Sequence, residues 1–157
     1  MNAARLILFD ETETHHAAQR LAGALRPGVT ILLDGPIGAG KTFFARALIQ
    51  TRLAALGRME DVPSPTFTLV QVYELGDFDI WHCDLYRLDH PDEVFDLGLT
   101  EAMEEAVCLI EWPNRLGDLV PANALRLSFS PGRDENARLL TARGPACLTN
   151  ALKVPHP

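Results

Sequence analysis

The residues best suited to chemistry form a run of glycines that ends in a lysine and a threonine, Gly-Pro-Ile-Gly-Ala-Gly-Lys-Thr at residues 35–42. A mostly apolar stretch at residues 29–33 precedes this run, and a helix-like stretch at residues 43–56 follows it. A strand, a glycine-rich loop and a helix in this order are typical of a P-loop. Glycine lets backbone N–H groups approach phosphate oxygens closely, and the helix adds the unpaired donors of its first turn. The pattern therefore predicts a binding site for a nucleoside triphosphate.

Two side chains at the end of the loop carry the predicted chemistry. Lys41 would place its ammonium group on the β- and γ-phosphates, and Thr42 would offer its hydroxyl to Mg²⁺. Only Lys41 and Lys153 are lysine among the 14 basic residues, and a compact ammonium suits a phosphate site better than the planar fork of arginine. The simpler alternative is a glycine turn between a strand and a helix. The loop residues expected to bind the nucleotide are Gly35, Ile37, Gly38, Ala39, Gly40, Lys41, Thr42 and Phe43.

Two acidic residues follow strand-like runs and are candidates for the metal and the attacking water. Asp84 follows residues 80–83, and Glu111 follows the apolar residues 107–110. In open parallel sheets such groups meet beside the loop, at the carboxyl ends of the strands. We expect Glu111 to bind Mg²⁺ or its water shell and Asp84 to position or deprotonate water. The alternatives are a strand-end carboxylate for Glu111 and an ion pair with Arg87 for Asp84.

The stretch Ser64-Pro65-Thr66 lies downstream of the helix that follows the glycine-rich loop, where P-loop proteins carry switches. Pro63 and Pro65 stiffen the chain, and the hydroxyls of Ser64 and Thr66 could sense the γ-phosphate. The alternative is a strand whose beginning is fixed by proline. His82 and Asp84 alternate on one strand face and could chelate a metal, but two ligands without a third make a weak site.

The sequence also predicts the elements that must hold these groups. A helix begins at Asp10, with Glu13 three residues later as in a capping box, and apolar residues recur at helical spacing behind it. Two strand-like runs, residues 66–75 and 78–86, are separated by Gly76-Asp77, so they are predicted to pair as a hairpin. The remaining predicted elements are strands at 5–9, 29–33, 107–110, 124–129 and 138–142, helices at 41–56, 93–97 and 100–105, and a loose tail at 154–157.

Composition and charge limit the classes of protein. With 157 residues, 47% of them hydrophobic and 22% charged, the chain is expected to be one soluble domain spanning residues 1–157. We expect no membrane span and no signal peptide, and the odd number of widely spaced cysteines predicts free thiols in a reducing cytosol. The net charge of −7 argues against a large direct footprint on nucleic acid. The acidic residues 89–105 are either a solvated face or a docking surface for a basic partner.

Four stretches taken together, residues 38–42, 64–70, 82–88 and 111–113, resemble the TsaE (YjeE) family. Its members are small bacterial P-loop ATPases in the pathway that makes N6-threonylcarbamoyladenosine at position 37 of tRNAs reading ANN codons. The resemblance implies an α/β fold, a single P-loop NTPase domain with a mixed, mainly parallel sheet flanked by helices. It also implies a cytoplasmic enzyme that uses ATP and Mg²⁺ and acts on a complex of TsaD and TsaB, reaching tRNA only through that complex.

The resemblance extends in order from about Thr14 to Arg138, and it assigns roles to single residues. Lys41, Asp84 and Thr66 match the family's catalytic lysine, catalytic aspartate and switch threonine. Thr42 and Glu111 match the residues associated with magnesium. Trp112 matches an aromatic residue beside the site, and Thr14 and Arg138 match positions near the nucleotide base.

The chain departs from the family pattern at a few positions. Pro36 replaces a common aspartate, Phe43 replaces a second hydroxyl residue, and Ala17-Ala18 replaces a frequent Leu-Gly pair. These changes bear on the rate more than on the function, because the groups that the chemistry requires are present. Two other functions remain open: a small-molecule P-loop kinase, although no compact arginine-rich lid occurs, and a nucleotide-gated binding module with negligible hydrolysis. A GTPase is disfavoured because the Asn-Lys-x-Asp motif is missing.

Overall fold

The computed structural model describes residues 1–153, and in these residues seven strands form one sheet that is flanked by helices. The predicted tail at 154–157 lies outside the described residues. No helix within residues 1–153 has the length and apolar character needed to cross a membrane. In chain order the elements are β1 (Asn2–Leu8), α1 (Glu11–Ala22), β2 (Thr30–Asp34), α2 (Lys41–Ala55), β3 (Val70–Glu74), β4 (Asp79–Asp84), α3 (Glu93–Asp96), α4 (Leu99–Glu105), β5 (Val107–Glu111), a 3₁₀ segment (Pro113–Leu119), β6 (Leu125–Pro131), β7 (Arg138–Gly144) and α5 (Ala146–Leu152).

The sheet has the strand order β1-β7-β6-β2-β5-β4-β3. Strands β6, β2, β5 and β4 are parallel neighbours, whereas β7 and β3 run antiparallel to the strands beside them. Because β1 is antiparallel to β7, it points the same way as the four central strands. This arrangement confirms the predicted mixed, mainly parallel sheet. It also brings the carboxyl ends of β2, β5 and β4 together, where Glu111 is paired with both Leu33 and Asp84.

The two innermost strands, β2 and β5, are mostly apolar because both of their faces are covered. Every residue of β5 is buried, as are the first four residues of β2, and continuous apolar runs are typical of parallel strands between two helical layers. Side chains alternate along β2, so Ile31 and Leu33 pack with Phe44 of α2 in one cluster, whereas Leu32 packs with Ile110 in the other. Burying each such side chain stabilises the fold by about 1.5–3 kcal/mol.

The two long helices begin in different ways. Asp10 is the N-cap of α1, as predicted, and its Oδ1 accepts a hydrogen bond from the backbone N–H of Glu13 at 2.9 Å. Helix α2 instead begins directly after Gly40, which has a φ of 104°, and within residues 1–153 no side chain caps it. The first N–H groups of a helix have no partner inside the helix. The first turn of α2 therefore keeps donors for a ligand at the loop.

Several predicted boundaries were wrong. Residues 66–69 form a turn and not the start of a strand, with Leu69 at a φ of 69° and its N–H bonded to the carbonyl of Pro65. Strand β1 begins at Asn2, before the predicted residue 5, and β6 and β7 extend to Pro131 and Gly144. The 3₁₀ segment and α5 were not predicted at all. The hairpin, α2 and both short helices lie where the sequence placed them.

Candidate nucleotide-binding site

The glycine-rich loop connects β2 to α2 in a conformation that side chains would oppose. Gly35, Gly38 and Gly40 all have positive φ, at 142°, 80° and 104°, and residues with a Cβ rarely adopt such values. At Gly35 an added Cβ would lie 2.6 Å from the carbonyl oxygen of Phe129, whereas at Gly38 it would meet nothing within 4 Å. The glycines are thus required by the path of the backbone, which is the path that exposes N–H groups to an anion.

Lys41 is almost fully buried, with 5% of its side chain exposed. Its Nζ donates a hydrogen bond to the carbonyl of Gly35 and lies 3.5 Å from the centroid of the Trp112 ring. Burial lowers the pKa of Lys41, and the nearby carboxylates of Glu111, Asp34 and Asp84 act in the opposite direction. A cation held in this way has lost much of its hydration, so its attraction to a phosphate is strong.

The metal candidates meet at the end of β5. The Thr42 hydroxyl donates to Oε1 of Glu111 at 2.7 Å, and Glu111 is only 2% exposed. Oxygen atoms are the ligands that Mg²⁺ prefers, and in nucleotide sites one or two carboxylates plus the substrate phosphates are sufficient. The pair of Thr42 and Glu111 therefore fits Mg²⁺, and the adjacent loop fits the phosphates that would complete its coordination.

Asp84 lies beside Glu111 at the end of the neighbouring strand. Its Oδ2 accepts a hydrogen bond from the Thr66 hydroxyl at 3.2 Å, and its Oδ1 accepts one from the backbone N–H of Tyr86 at 3.0 Å. The predicted alternative, an ion pair with Arg87, is not formed within the described residues, and the Arg87 guanidinium lies 5.5 Å from the Phe67 ring centroid instead. The carboxylate of Asp84 is thus held in place by the loop that carries Thr66 and by the turn at Tyr86.

Two cavities lie on either side of the loop. The acid-side cavity, of about 250 Å³, is lined by Ile37, Gly38, Lys41, Thr42, Thr66, Asp84, Tyr86, Glu111 and Trp112. The arginine-side cavity, of about 270 Å³, is lined by Glu11, Thr14, Gly38, Gly40, Lys41, Thr42, Phe43, Asn136 and Arg138. Every predicted site residue lines one of these cavities, except Gly35 and Ala39, which form the loop between them.

The arginine-side cavity contains Thr14 and Arg138, two of the three residues that only the family resemblance singled out. Arg138 donates from Nε to the carbonyl of Ala39 at 2.8 Å and from Nη2 to that of Gly38 at 3.2 Å, so it ties the loop to β7. The Thr14 hydroxyl donates to the carbonyl of Asp10 at 3.3 Å. Their part in reading the base stays a prediction, because both are hydrogen-bonded to backbone carbonyls here.

Four residues at the site were not predicted in the places they occupy. Tyr86 packs against Trp112 in a tilted arrangement with ring centroids 4.9 Å apart, and Glu11 and Asn136 line the arginine-side cavity. His82, predicted at most as one half of a metal chelate with Asp84, instead has its Nε2 at 2.7 Å from Oε2 of Glu111. No simple sequence signal marks Asn136, because it lies in a turn between two late strands.

Comparisons with known proteins agree with this fold. The family described as "Threonylcarbamoyl adenosine biosynthesis protein TsaE" matches residues 8–140. A protein of Rickettsia bellii named tRNA threonylcarbamoyladenosine biosynthesis protein TsaE is 41% identical over 123 residues, 78% of this chain and 83% of the relative. A Bacillus subtilis protein of the same name is 36% identical over 134 residues, 84% and 81% of the two chains. The crystal structure of Bacillus subtilis YdiB matches with a TM-score of 0.72 at 26% identity, covering 96% of this chain and 91% of that one.

Proposed function

This chain belongs to the TsaE family of threonylcarbamoyl adenosine biosynthesis proteins, and we propose that it is a cytoplasmic, magnesium-dependent ATPase that supports a TsaD–TsaB complex in modifying tRNA. The product of that pathway is N6-threonylcarbamoyladenosine at position 37 of tRNAs reading ANN codons. The observation that carries the proposal is the hydrogen bond between Thr42, at the start of α2, and Glu111, at the end of β5. This contact joins a phosphate-binding loop to an acidic strand end, which is the arrangement that phosphoryl transfer requires.

Binding of ATP would depend on the loop backbone and on Lys41. The open donors at the start of α2 and the positive end of the helix dipole favour a polyanion, and the buried ammonium of Lys41 adds a full charge. Thr42 and Glu111 would hold Mg²⁺, which neutralises charge on the β- and γ-phosphates when bound. Pro36 and Phe43 replace an aspartate and a hydroxyl residue that are common in the family. They leave Lys41, Thr42 and Glu111 in place, and the proposed binding needs no hydrogen-bond donor from either side chain.

Hydrolysis would depend on the second carboxylate. Asp84 is held by Thr66 and by the backbone of Tyr86, so it can orient a water molecule and accept its proton. Thr66 lies on the loop that follows α2, where a hydroxyl can respond to the γ-phosphate. Positioning and electrostatic stabilisation supply most of the catalysis in such sites.

The proposed partners follow from the family and from the charge of the chain. A net charge of −7 disfavours direct binding to the phosphate backbone of tRNA. We therefore place the tRNA on the TsaD–TsaB complex and assign to this chain the ATP-dependent step. The acidic residues 89–105, which include α3 and α4, offer a surface to a basic partner.

The ATPase is tested by measuring phosphate release with Mg²⁺ for Lys41→Ala and Glu111→Gln. We expect each variant to lose activity by about 100-fold or more, since each removes a charge aimed at the reacting phosphates. Lys153→Ala, which changes the other, exposed lysine, is the matched control and should keep full activity. Unchanged turnover in both site variants would refute the site. Phosphate found on an added nucleoside or metabolite would identify a kinase instead.

The role in tRNA modification needs a separate measurement. Depletion of the protein in its host should lower the modified adenosine at tRNA position 37, as quantified by mass spectrometry of digested tRNA. The wild-type chain should restore the modification, whereas Lys41→Ala should not. Unchanged modification after depletion would refute the pathway assignment. ATP-dependent association with TsaD–TsaB that survives Asp84→Ala, together with negligible wild-type turnover, would identify a nucleotide-gated binding module.

A further inference from the structure

A buried histidine contacts Oε2 of Glu111, the carboxylate oxygen that does not contact Thr42. His82, in β4, has a side chain that is 0% exposed, and its Nε2 lies 2.7 Å from Oε2 of Glu111. A carboxylate that binds Mg²⁺ offers lone pairs and no hydrogen, so in the metal-binding form Nε2 carries the hydrogen and Glu111 accepts it. The other oxygen of Glu111, Oε1, accepts the Thr42 hydroxyl. The two contacts together fix the plane of the carboxylate.

The pairing of the strands explains how the histidine reaches this position. In the register of β4 with β5, His82 is paired with Leu109, and Asp84 is paired with Glu111. The contact between His82 and Glu111 is therefore a diagonal one, which long or aromatic side chains can span. His82 and Asp84 point to the same face of β4 because they are two residues apart. One strand thus supplies Asp84 at its end and the support for Glu111 one step behind it.

The other ring nitrogen of His82 shows that this contact has a cost. Within residues 1–153, Nδ1 of His82 is buried and has no hydrogen-bond partner. A buried polar atom without a partner costs about 1–3 kcal/mol, a cost that an apolar residue at this position of a central sheet would avoid. Apolar packing therefore does not account for a histidine at residue 82, whereas its bond to Glu111 does.

We propose that His82 is a positioning residue for magnesium, which orients Glu111 so that Oε1 and the Thr42 hydroxyl are presented to the ion together. The inference rests on the proposed function, because it assigns a support to the metal site of that ATPase. Without the Nε2–H donor the carboxylate can rotate about its own bonds, and each Mg²⁺ bound must then order it. Loss of such an outer contact typically lowers metal affinity about 10–100-fold.

The test compares variants that differ in where they place a donor. The amide nitrogen of His82→Gln lies near the position of Nε2, whereas the shorter side chain of His82→Asn places its amide near Nδ1, out of reach of Glu111. His82→Leu removes the donor and keeps most of the volume. Affinity for Mn²⁺, a spectroscopic stand-in for Mg²⁺, is measured by electron paramagnetic resonance on protein loaded with a non-hydrolysable ATP analogue. ATP turnover is measured in parallel as a function of Mg²⁺ concentration.

We expect His82→Asn and His82→Leu to weaken Mn²⁺ binding, and to raise the half-saturating Mg²⁺, by about 10–100-fold, while His82→Gln stays close to wild type. Nucleotide binding in EDTA should be the same in all four proteins, because the loop is unchanged. Urea unfolding should show His82→Leu to be folded. Loss of the donor to the buried Oε2 of Glu111 lowers its free energy of unfolding, and removal of the unpartnered Nδ1 offsets part of that loss. If His82→Leu does not fold, the pair of His82→Gln and His82→Asn still decides the question.

Equal metal affinity in wild type, His82→Gln and His82→Asn would overturn the inference. A loss of nucleotide binding in EDTA that parallels the loss of metal affinity would also overturn it, since it would indicate a general structural role. Failure of the proposed function gives a different result. In that case the wild-type protein would show no Mg²⁺-dependent turnover, while the Mn²⁺ titration would still report whether His82 supports the metal site.

Discussion

Within residues 1–153, the Thr42 hydroxyl makes a hydrogen bond that joins the glycine-rich loop to the acidic end of β5. It donates to Oε1 of Glu111 at 2.7 Å across 69 residues of sequence. A hydroxyl has one hydrogen and two lone pairs, so it can donate to a carboxylate and bind a cation at the same time. Because threonine is a mediocre helix former, the oxygen, and not helix propensity, explains this residue in the first turn of α2.

Replacing Thr42 separates its shape from its hydroxyl. Thr42→Val keeps the branched side chain and removes the donor, so Oε1 of Glu111 loses its partner, whereas Thr42→Ser keeps the oxygen. A hydrogen bond to a charged group contributes about 1.5–3 kcal/mol. We therefore expect Thr42→Val to lower Mg²⁺-dependent ATP turnover by about 10–100-fold and Thr42→Ser to have a much smaller effect, as measured by phosphate release. Wild-type activity in Thr42→Val would contradict this role.

At the scale of the element, the loop between β2 and α2 is fixed by glycines that are needed for two different reasons. Gly35 has a φ of 142°, and a Cβ there would collide with the carbonyl oxygen of Phe129 on β6. Gly38 has a φ of 80° and open space around the position of a Cβ. The first glycine therefore permits both a backbone angle and a close approach between neighbouring strands. The second permits only the angle.

This difference predicts unequal effects of two identical substitutions. Gly38→Ala should lower the free energy of unfolding by about 1–2 kcal/mol, which is the cost of a left-handed conformation. Gly35→Ala should lower it by about 2 kcal/mol or more, because the overlap with Phe129 adds the cost of overpacking. Urea unfolding curves of the two variants and wild type measure both values. Equal losses would show that the contact with Phe129 has no energetic consequence.

Elements with local signals could be predicted from the sequence, and elements held by distant contacts could not. The Asp10 cap, the hairpin turn at Gly76-Asp77 and the helix after Gly40 depend on neighbouring residues, and all three were correct. Helix α5 has only seven residues, which is too short for a clear periodic pattern. Its end is held by Arg20, whose guanidinium donates to the carbonyl of Leu152 across 132 residues. Such a contact exists only once the fold is formed.

The candidate site divides in the same way. The rule that acids gather at the carboxyl ends of parallel strands brought Glu111 and Asp84 together correctly as neighbours. Spacing alone could not decide whether Asp84 would instead pair with Arg87, because that pairing depends on the backbone turn that directs the Arg87 side chain toward Phe67. The bond of His82 to Glu111 requires β4 to lie next to β5 in a known register, and strand order is not visible in one sequence. The roles of these residues in catalysis stay predictions.

At the scale of the whole molecule, the sheet separates two apolar layers, and the layer that faces α3 and α4 contains two thiols. Cys83 of β4 and Cys108 of β5 are free and buried there, whereas Cys147 on α5 is free and exposed. Burial raises the pKa of Cys83 well above its ordinary value, and it raises the pKa of Cys108 to about 12. Because the thiolate is the reactive form, the fold protects both core cysteines by excluding reagent and by keeping the thiols protonated.

Thiol labelling therefore measures the integrity of this layer. In native protein at pH 8 we expect a disulfide reagent to modify one cysteine rapidly and the other two only after denaturation; Cys147→Ser should abolish the rapid phase. Rapid labelling of Cys83 or Cys108 in native protein would contradict a closed second layer.

The raised pKa values of the two buried thiols also predict how stability depends on pH. Above the ordinary pKa of 9.0, the unfolded chain releases thiol protons that the folded chain retains. The free energy of unfolding should then fall as the pH rises beyond 9, and Cys108→Ala should reduce that slope in urea titrations.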